Sequence, residues 1–197
     1  MKQSPLFPNT PNTPNTQKTP DTLNVFQGLN RSEVEPLAFK ILRVVEPFCL
    51  KAEVAGSLRR RHDVVNDVDI VVLPRPERNC WLNIVKMVRT EFDGITVKQG
   101  DKLAVLNVPF FRNSPGYVQV DLYRADPGTW GILLLVRTGS KEHNVKLCNL
   151  AISKGLRLLF SVGLSDQSGR VVAGRTEEEV FSALGLAFVE PKDREVS

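Results

Sequence analysis

Val54-Ala55-Gly56-Ser57-Leu58-Arg59-Arg60-Arg61, followed by Asn66-Asp67-Val68-Asp69-Ile70-Val71-Val72-Leu73, is the stretch whose reading decides the fold. An apolar run ends in Gly-Ser, three arginines follow, and a second apolar run opens on two carboxylates spaced two apart. On a strand successive side chains alternate faces, so Asp67 and Asp69 project to one side while Val68, Ile70 and Val72 face the other. Carboxylates held that close repel each other unless a cation sits between them. Hard oxygen ligands of this kind suit Mg2+ or Mn2+, which also take phosphate oxygens from a substrate. Gly56 lets the chain approach a ligand without a side chain in the way, and Ser57 adds a hydroxyl and an N–H donor. Arg59 and Arg60 offer paired donors for phosphate oxygens. Each feature alone has an ordinary reading as a turn, a strand edge or a solvated face. Together, with strand signals on both sides, they predict a nucleoside-triphosphate site.

Working outward, Val34, Leu37, Ala38, Ile41, Leu42 and Val45 recur at helical spacing behind Ser32 and Glu35, which predicts a helix over 32–45 with Ser32 as N-cap. Its apolar face is expected to back the sheet. Strands are expected over 51–55 and 67–73, the second stopped by Pro74 and Pro76. Trp81, Ile84, Val85, Val88 and Phe92 space out a second amphipathic helix over 77–91. Three strand-like stretches follow, 95–98, 102–109 and 117–123, separated by turns at Gly100-Asp101 and Asn113-Ser114-Pro115-Gly116. In the last, Gln119, Asp121 and Tyr123 share one face. If that strand is the hairpin partner of the Asp67 strand, Asp121 joins the pair as a third ligand; otherwise it is a strand-edge charge that discourages wrong pairing.

Beyond Pro127 the character changes. An apolar run over 130–136 is interrupted by Arg137-Thr138-Gly139-Ser140-Lys141-Glu142-His143-Asn144, helical spacing resumes at Leu147, and Gly155 closes that helix. A strand over 156–160, a turn over 166–169 and a helix capped by Thr176 with acidic residues in its first turn follow, with Glu190 to Arg194 as a charged exit. At the other end, Pro-Asn-Thr repeats between Ser4 and Thr22 lack the apolar content to offset the entropy of ordering, which predicts a disordered tail. The 197 residues suffice for one substantial core or two small ones sharing a cleft. No apolar stretch reaches bilayer length and the N-terminus lacks a secretory signal, so an unsecreted protein is expected, cytoplasmic or with the nucleoid or nucleus. Cys49, Cys80 and Cys148, odd in number and far apart, read as buried free thiols. The net charge of +4 permits nucleic-acid binding through a local basic patch without requiring it.

Gly56-Ser57 with Asp67-x-Asp69 resembles the signature of the polymerase-beta-like nucleotidyltransferases. Thr138-Gly139-Ser140-Lys141-Glu142-His143-Asn144, the run from Glu177 to Leu186, and Glu190-Pro191-Lys192-Asp193-Arg194 resemble, in order and spacing, the nucleotide-gripping thumb of family X DNA polymerases. The resemblance covers about Leu29 to Glu195. It implies an α+β (mixed α/β) fold, with a palm whose mixed β-sheet is backed by helices and a small α+β thumb. The corresponding division is a tail over 1–23, a palm over 24–126 and a thumb over 127–197. It also implies a family X DNA polymerase, a monomer that adds dNTP units to a DNA 3′-hydroxyl with two Mg2+ or Mn2+ ions, in short-gap repair. By the family pattern Asp67, Asp69 and Asp121 hold the ions. Gly56, Ser57 and Arg60, with Arg31 a further candidate, contact the triphosphate. Gly139, Ser140, Lys141, His143 and Asn144 line the base and sugar.

The chain departs from the family at Val136-Arg137, where an aromatic pair is usual, and at Cys148, where an arginine that monitors the template minor groove is usual. Neither the family's lyase and helix-hairpin-helix regions nor a phosphatase-like domain is expected, so the grip on DNA falls to basic residues, with Lys146, Lys154, Arg157, Arg170 and Arg175 joining Lys141 as candidates. Alternatives are a template-independent terminal transferase, a nucleotidyltransferase acting on a non-DNA acceptor, and a DNA-binding scaffold without catalysis.

Overall fold

Alternation of carboxylate and valine at Asp67-Val68-Asp69-Ile70 is realised in the middle of a mixed sheet. A computed structural model describes residues 23–110 and 116–195; the Pro-Asn-Thr repeats and most of the turn expected at 113–116 lie outside the described residues. The first part of the chain forms β1 (Asn24–Val25), β2 (Leu29–Asn30), α1 (Arg31–Val45), β3 (Cys49–Val54), the one-turn helix α2 (Gly56–Arg59), β4 (Val64–Val65), β5 (Asp67–Pro74), α3 (Cys80–Glu91), β6 (Ile95–Gln99), β7 (Leu103–Pro109) and β8 (Gly116–Arg124). There follow α4 (Trp130–Thr138), α5 (Lys141–Ser153), β9 (Arg157–Leu159), β10 (Gly163–Ser165), β11 (Val171–Ala173) and α6 (Glu177–Ala183).

The large sheet has the order β3-β5-β8-β7-β6, with β1 added along β8. Its centre is parallel: β5 runs alongside β8 in the register Asp69 opposite Asp121. The hairpin pairing expected between the two carboxylate strands is therefore corrected. The hairpin partner of β8 is the antiparallel β7, and the α3 and β6–β7 excursion returns β8 to β5 as a crossover, which parallel neighbours require.

One face of this sheet carries Val68, Ile70, Val72, Val118, Val120 and Leu122 and is closed by the apolar sides of α1 and α3, through residues such as Val34, Ile41, Ile84 and Val88. On the opposite face Val71, Leu73 and Tyr123 pack under Trp130, Leu133 and Leu134 of α4. The other side of α4, through Ile132 and Leu135, belongs to a separate core with Leu147, Leu164, Val180, Phe181 and Leu184. A helix buried on both flanks has to be apolar all round. This accounts for the run over 130–136, whose lack of polar positions conceals its helical period. Gly131 permits the close packing there, because a Cβ at that position would lie 2.2 Å from the backbone of Thr176.

Several boundaries shift for local reasons. The cap of α1 is Asn30, not Ser32, since Arg31 N–H donates to the Asp63 carbonyl at 2.9 Å and starts the helix one residue earlier. The second helix begins at Cys80 instead of residue 77, because Asn79 is left-handed at φ 65°, a conformation asparagine tolerates better than most residues. Within the interruption after Arg137 a helix also begins: Ser140 caps α5 by accepting from His143 N–H. Thr176 caps α6 in the same way, as expected. Cys49 and Cys80 are buried, but Cys148 is only partly so and lines the cleft described below, which corrects its reading as a buried thiol.

Candidate active site

β3 ends at Val54 and the chain turns sharply through Ala55 into α2, where Gly56 has φ +60°. A Cβ at Gly56 would fall 2.0 Å from an Asp69 carboxylate oxygen, so only glycine lets the turn and the carboxylate coexist. Asp67 and Asp69 project from the opening of β5, and Asp121 stands across from Asp69 on β8. One carboxylate oxygen from each of the three lies within 4.8 Å of the others. Asp121 is held from both sides, with Gln119 Nε2 donating to Oδ1 at 3.0 Å and the Tyr123 hydroxyl to Oδ2 at 2.9 Å. The shared face of Gln119, Asp121 and Tyr123 is thus a working arrangement, although the sequence alone did not reveal these two neighbours as site residues.

Electrostatics register the crowding. Burial pushes Asp69 up to about 7, and the charges of Asp67 and Asp121 add to that, against opposing pulls from Tyr123 and Arg137. Asp67 is raised by burial and by Asp121, and Arg60 works the other way. Tyr123 is raised as well, by burial and by Asp69 and Asp121. Three converging carboxylates, two of them held away from their ordinary ionisation by burial and mutual repulsion, are the donor set a hard divalent cation relieves, and the all-oxygen chemistry fits Mg2+ or Mn2+.

Asp67 and Asp69 open into a cleft of about 870 Å³, while the buried Asp121 beside them is not part of its lining. Of the sequence-predicted residues, Gly56, Ser57, Arg60, Asp67, Asp69, Gly139, Lys141 and Asn144 line it, together with His62, Val136, Arg137 and Cys148. Arg137 spreads over the Tyr123 ring at 4.0 Å, and Val136 accepts from Asn144 Nδ2 at 2.8 Å.

Other expected residues stand elsewhere. Ser140 is 5% exposed, and its hydroxyl donates to the Arg194 carbonyl while capping α5, outside the cleft lining. His143 packs on Phe181 with ring centroids 5.8 Å apart and is lowered by burial and by the nearby Arg194. Arg31 reaches the Arg61 carbonyl at 3.5 Å and borders a small hollow with Ser32, Glu35 and Asp63, outside the cleft lining. Arg59, expected to grip phosphate beside Arg60, points the other way and makes a bidentate pair with Glu177 at 2.7 and 2.8 Å and a bond to the Thr138 hydroxyl. Glu177 also takes Arg194 at 2.7 Å, and Arg194 is fully buried, so the charged exit is in part a buried ion-pair hub. Lys146, Lys154, Arg157, Arg170 and Arg175 are all exposed, with Arg170 paired to Asp166 at 3.2 Å.

The family model of the DNA polymerase beta thumb matches residues 133–195. Repair DNA polymerase X of African swine fever virus (isolate Tick/Malawi/Lil 20-1/1983) is 26% identical over 151 residues, 71% of this chain and 78% of the viral one. The DNA polymerase/3'-5' exonuclease PolX of Bacillus subtilis (strain 168) is 26% identical over 149 residues, 74% of this chain but 24% of the longer bacterial protein. Among solved structures, polymerase beta of Leishmania infantum in a ternary P/T complex superposes with a TM-score of 0.73 at 20% identity, over 87% of this chain and 78% of that one. Among the described residues, no helix is long and apolar enough to cross a membrane.

Proposed function

We propose that this chain, a polymerase-beta-like family X protein by its thumb and its relatives, is a repair DNA polymerase that extends a DNA 3′-hydroxyl with nucleotides from dNTP, in short gaps. The observation that carries the reading is the register placing Asp121 opposite Asp69, which converges three carboxylates, two of them lining one cleft. Asp67 and Asp69 would hold two divalent cations, with Asp121 sharing the one beside the attacking hydroxyl. When bound, these ions neutralise the triphosphate and favour ionisation of the hydroxyl.

The chain's own residues supply position. Gly56 and Ser57 bring backbone and hydroxyl donors to the triphosphate, and Arg60 offers guanidinium N–H groups to its oxygens. Gly139, Lys141 and Asn144, with Arg137 beside them in the cleft lining, form the wall for base and sugar. Gln119 and Tyr123 hold the Asp121 carboxylate toward the hydroxyl. Ser140 and His143 contribute by fixing α5 and the thumb core, as their contacts indicate. The fold likeness to a polymerase beta solved in a ternary P/T complex, the net charge of +4 and the exposed cations of the thumb support a DNA partner.

Primer extension with Mg2+ on a gapped duplex, on an unpaired primer and on a non-DNA acceptor tests the reading. Extension that follows the template base across the gap is expected. Template-blind addition would make the protein a terminal transferase, and labelling of the non-DNA acceptor alone would overturn the DNA assignment.

A further inference from the structure

Glu195 stands just outside the cleft, and no part of the proposed chemistry uses it. Its carboxylate accepts from Arg60 Nε and, on the same Oε1, from His62 Nε2 at 2.8 Å. Arg60 and His62 both line the cleft, and Glu195, which is not part of the lining, binds both. Arg60 is held a second time, through Nη1, by the Thr138 carbonyl. A guanidinium has five N–H donors in one plane. With Nε and one Nη1 hydrogen committed, the Nη2 edge stays available, and the plane is fixed by two anchors from the C-terminal lobe.

The residue before the anchor is tied into the core. Glu195 follows Arg194, whose side chain is fully buried between Glu177 and the Val189 carbonyl and whose own carbonyl accepts from Ser140. Burial would raise Glu195, but hydrogen bonds from Arg60 and His62 outweigh it and hold the carboxyl below the usual range, so it stays ionised near neutrality.

We propose that Glu195 is a positioning residue for nucleotide binding, holding Arg60 in the orientation that presents its free guanidinium edge to the triphosphate. The proposal rests on Arg60 contacting the triphosphate. A carboxylate beside Arg60 reduces the local positive charge, so its benefit comes from orientation: a long, rotamer-rich side chain is ordered before the ligand arrives.

The test is equilibrium binding of Mg2+-dNTP to the full chain, with KM and kcat on gapped DNA alongside, for the wild type, Glu195→Gln, Glu195→Ala, Arg60→Ala and the Arg60→Ala/Glu195→Ala double variant. Glu195→Ala is expected to weaken dNTP binding and raise KM about three- to tenfold, the scale of one ordinary net hydrogen bond, because the loss acts on the ligand only through Arg60, with kcat and gapped-DNA affinity nearly unchanged. Glu195→Gln, which keeps an acceptor of the same size, is expected to fall between and carries the comparison if the alanine variant folds poorly. On the Arg60→Ala background, removing Glu195 is expected to add nothing, since the two act as one unit. Unchanged or tighter dNTP binding in both Glu195 variants, with Arg60→Ala weakened, would overturn the proposal and leave Glu195 a structural tie or a competitor for Arg60. Unchanged binding in Arg60→Ala would overturn the Arg60 contact itself, and the proposal with it.

Discussion

Three carboxylates with oxygens within 4.8 Å of one another must cost the metal-free protein stability, and replacing one should return it. At 4.8 Å, with an effective dielectric of about 20, an ionised pair repels by roughly 3–4 kcal/mol. Asp69 bears the largest load and is pushed up to about 7. A carboxyl raised in the folded state binds its proton more tightly there than in the unfolded chain. Its cost is therefore absent well below the ordinary carboxylate range near 4, grows as pH rises from there, and is complete above about 7. A shift of about three units corresponds to roughly 4 kcal/mol, which screening through the open cleft reduces to about 2–4 kcal/mol. Asp69→Asn in EDTA at pH 8 is then expected to raise the melting temperature by roughly 4–16 °C, using about 2–4 °C per kcal/mol for a chain of this size. At pH 5, where Asp69 is protonated in the folded protein but ionised in the unfolded chain, the gap should shrink to less than half, closing only below the ordinary carboxylate range near 4. Mg2+ should stabilise the wild type and do much less for the variant. Differential scanning calorimetry across this matrix is the assay. A variant that melts at or below the wild type in EDTA at pH 8, or a gap as wide at pH 5, would refute the reasoning.

Further outcomes are open to the same scrutiny. Glu177→Gln leaves the fully buried Arg194 without its counter-charge and is expected to cost about 3–5 kcal/mol in urea unfolding at pH 7; a loss below 1 kcal/mol would mean the hub is dispensable. Burial raises Glu177, but hydrogen bonds from Arg59 and Arg194 outweigh this and depress it, so its stabilisation should be present above the ordinary glutamate range and fade as pH falls through its lowered value. DNA affinity should fall linearly with salt on a log–log scale, and alanine at Lys154 or Arg157 should lower the slope by about one each if they meet phosphates; salt-insensitive binding contradicts this. Val136 and Arg137, an aliphatic and a flexible cation, stand in the cleft wall, and steric discrimination is worth only about 1–3 kcal/mol per group. Ribonucleotides should accordingly enter far more readily than after Val136→Tyr/Arg137→Phe, measured as the ratio of incorporation efficiencies for matched deoxy- and ribonucleotides; a strongly deoxy-selective ratio unchanged by the double substitution would sink this.

What could be read from the sequence was governed by local periodicity. The two-residue alternation at Asp67-Val68-Asp69 and at Gln119-Val120-Asp121 determines which face the carboxylates take, whatever the partner strand. Whether β8 lies parallel or antiparallel to β5 is set by where the chain returns, and alternation carries no information on that. The same limit separates Arg59 from Arg60. Adjacent in sequence, they diverge because the single turn of α2 points one toward Glu177 and the other toward the cleft, and the partner lies more than a hundred residues away. Ser140 and His143 look like ligand residues in a Gly-Ser-Lys-Glu-His-Asn string, yet the cap geometry of α5 turns both inward. Glu195 carried no local signal, since an exposed glutamate near a charged exit resembles any solvated carboxylate until the fold brings Arg60 and His62 to it.

The central claim is that Asp67, Asp69 and Asp121 together carry nucleotidyl transfer to a DNA 3′-hydroxyl. Single-turnover extension of a one-nucleotide gap with Mg2+, comparing the wild type with Asp121→Asn, tests it most directly, with dNTP binding measured alongside. The account predicts addition of the template-matched nucleotide by the wild type, and loss of at least about a hundredfold in rate for the variant, as when a transition-state group is removed, with dNTP affinity nearly retained. Extension by Asp121→Asn at the wild-type rate would contradict it.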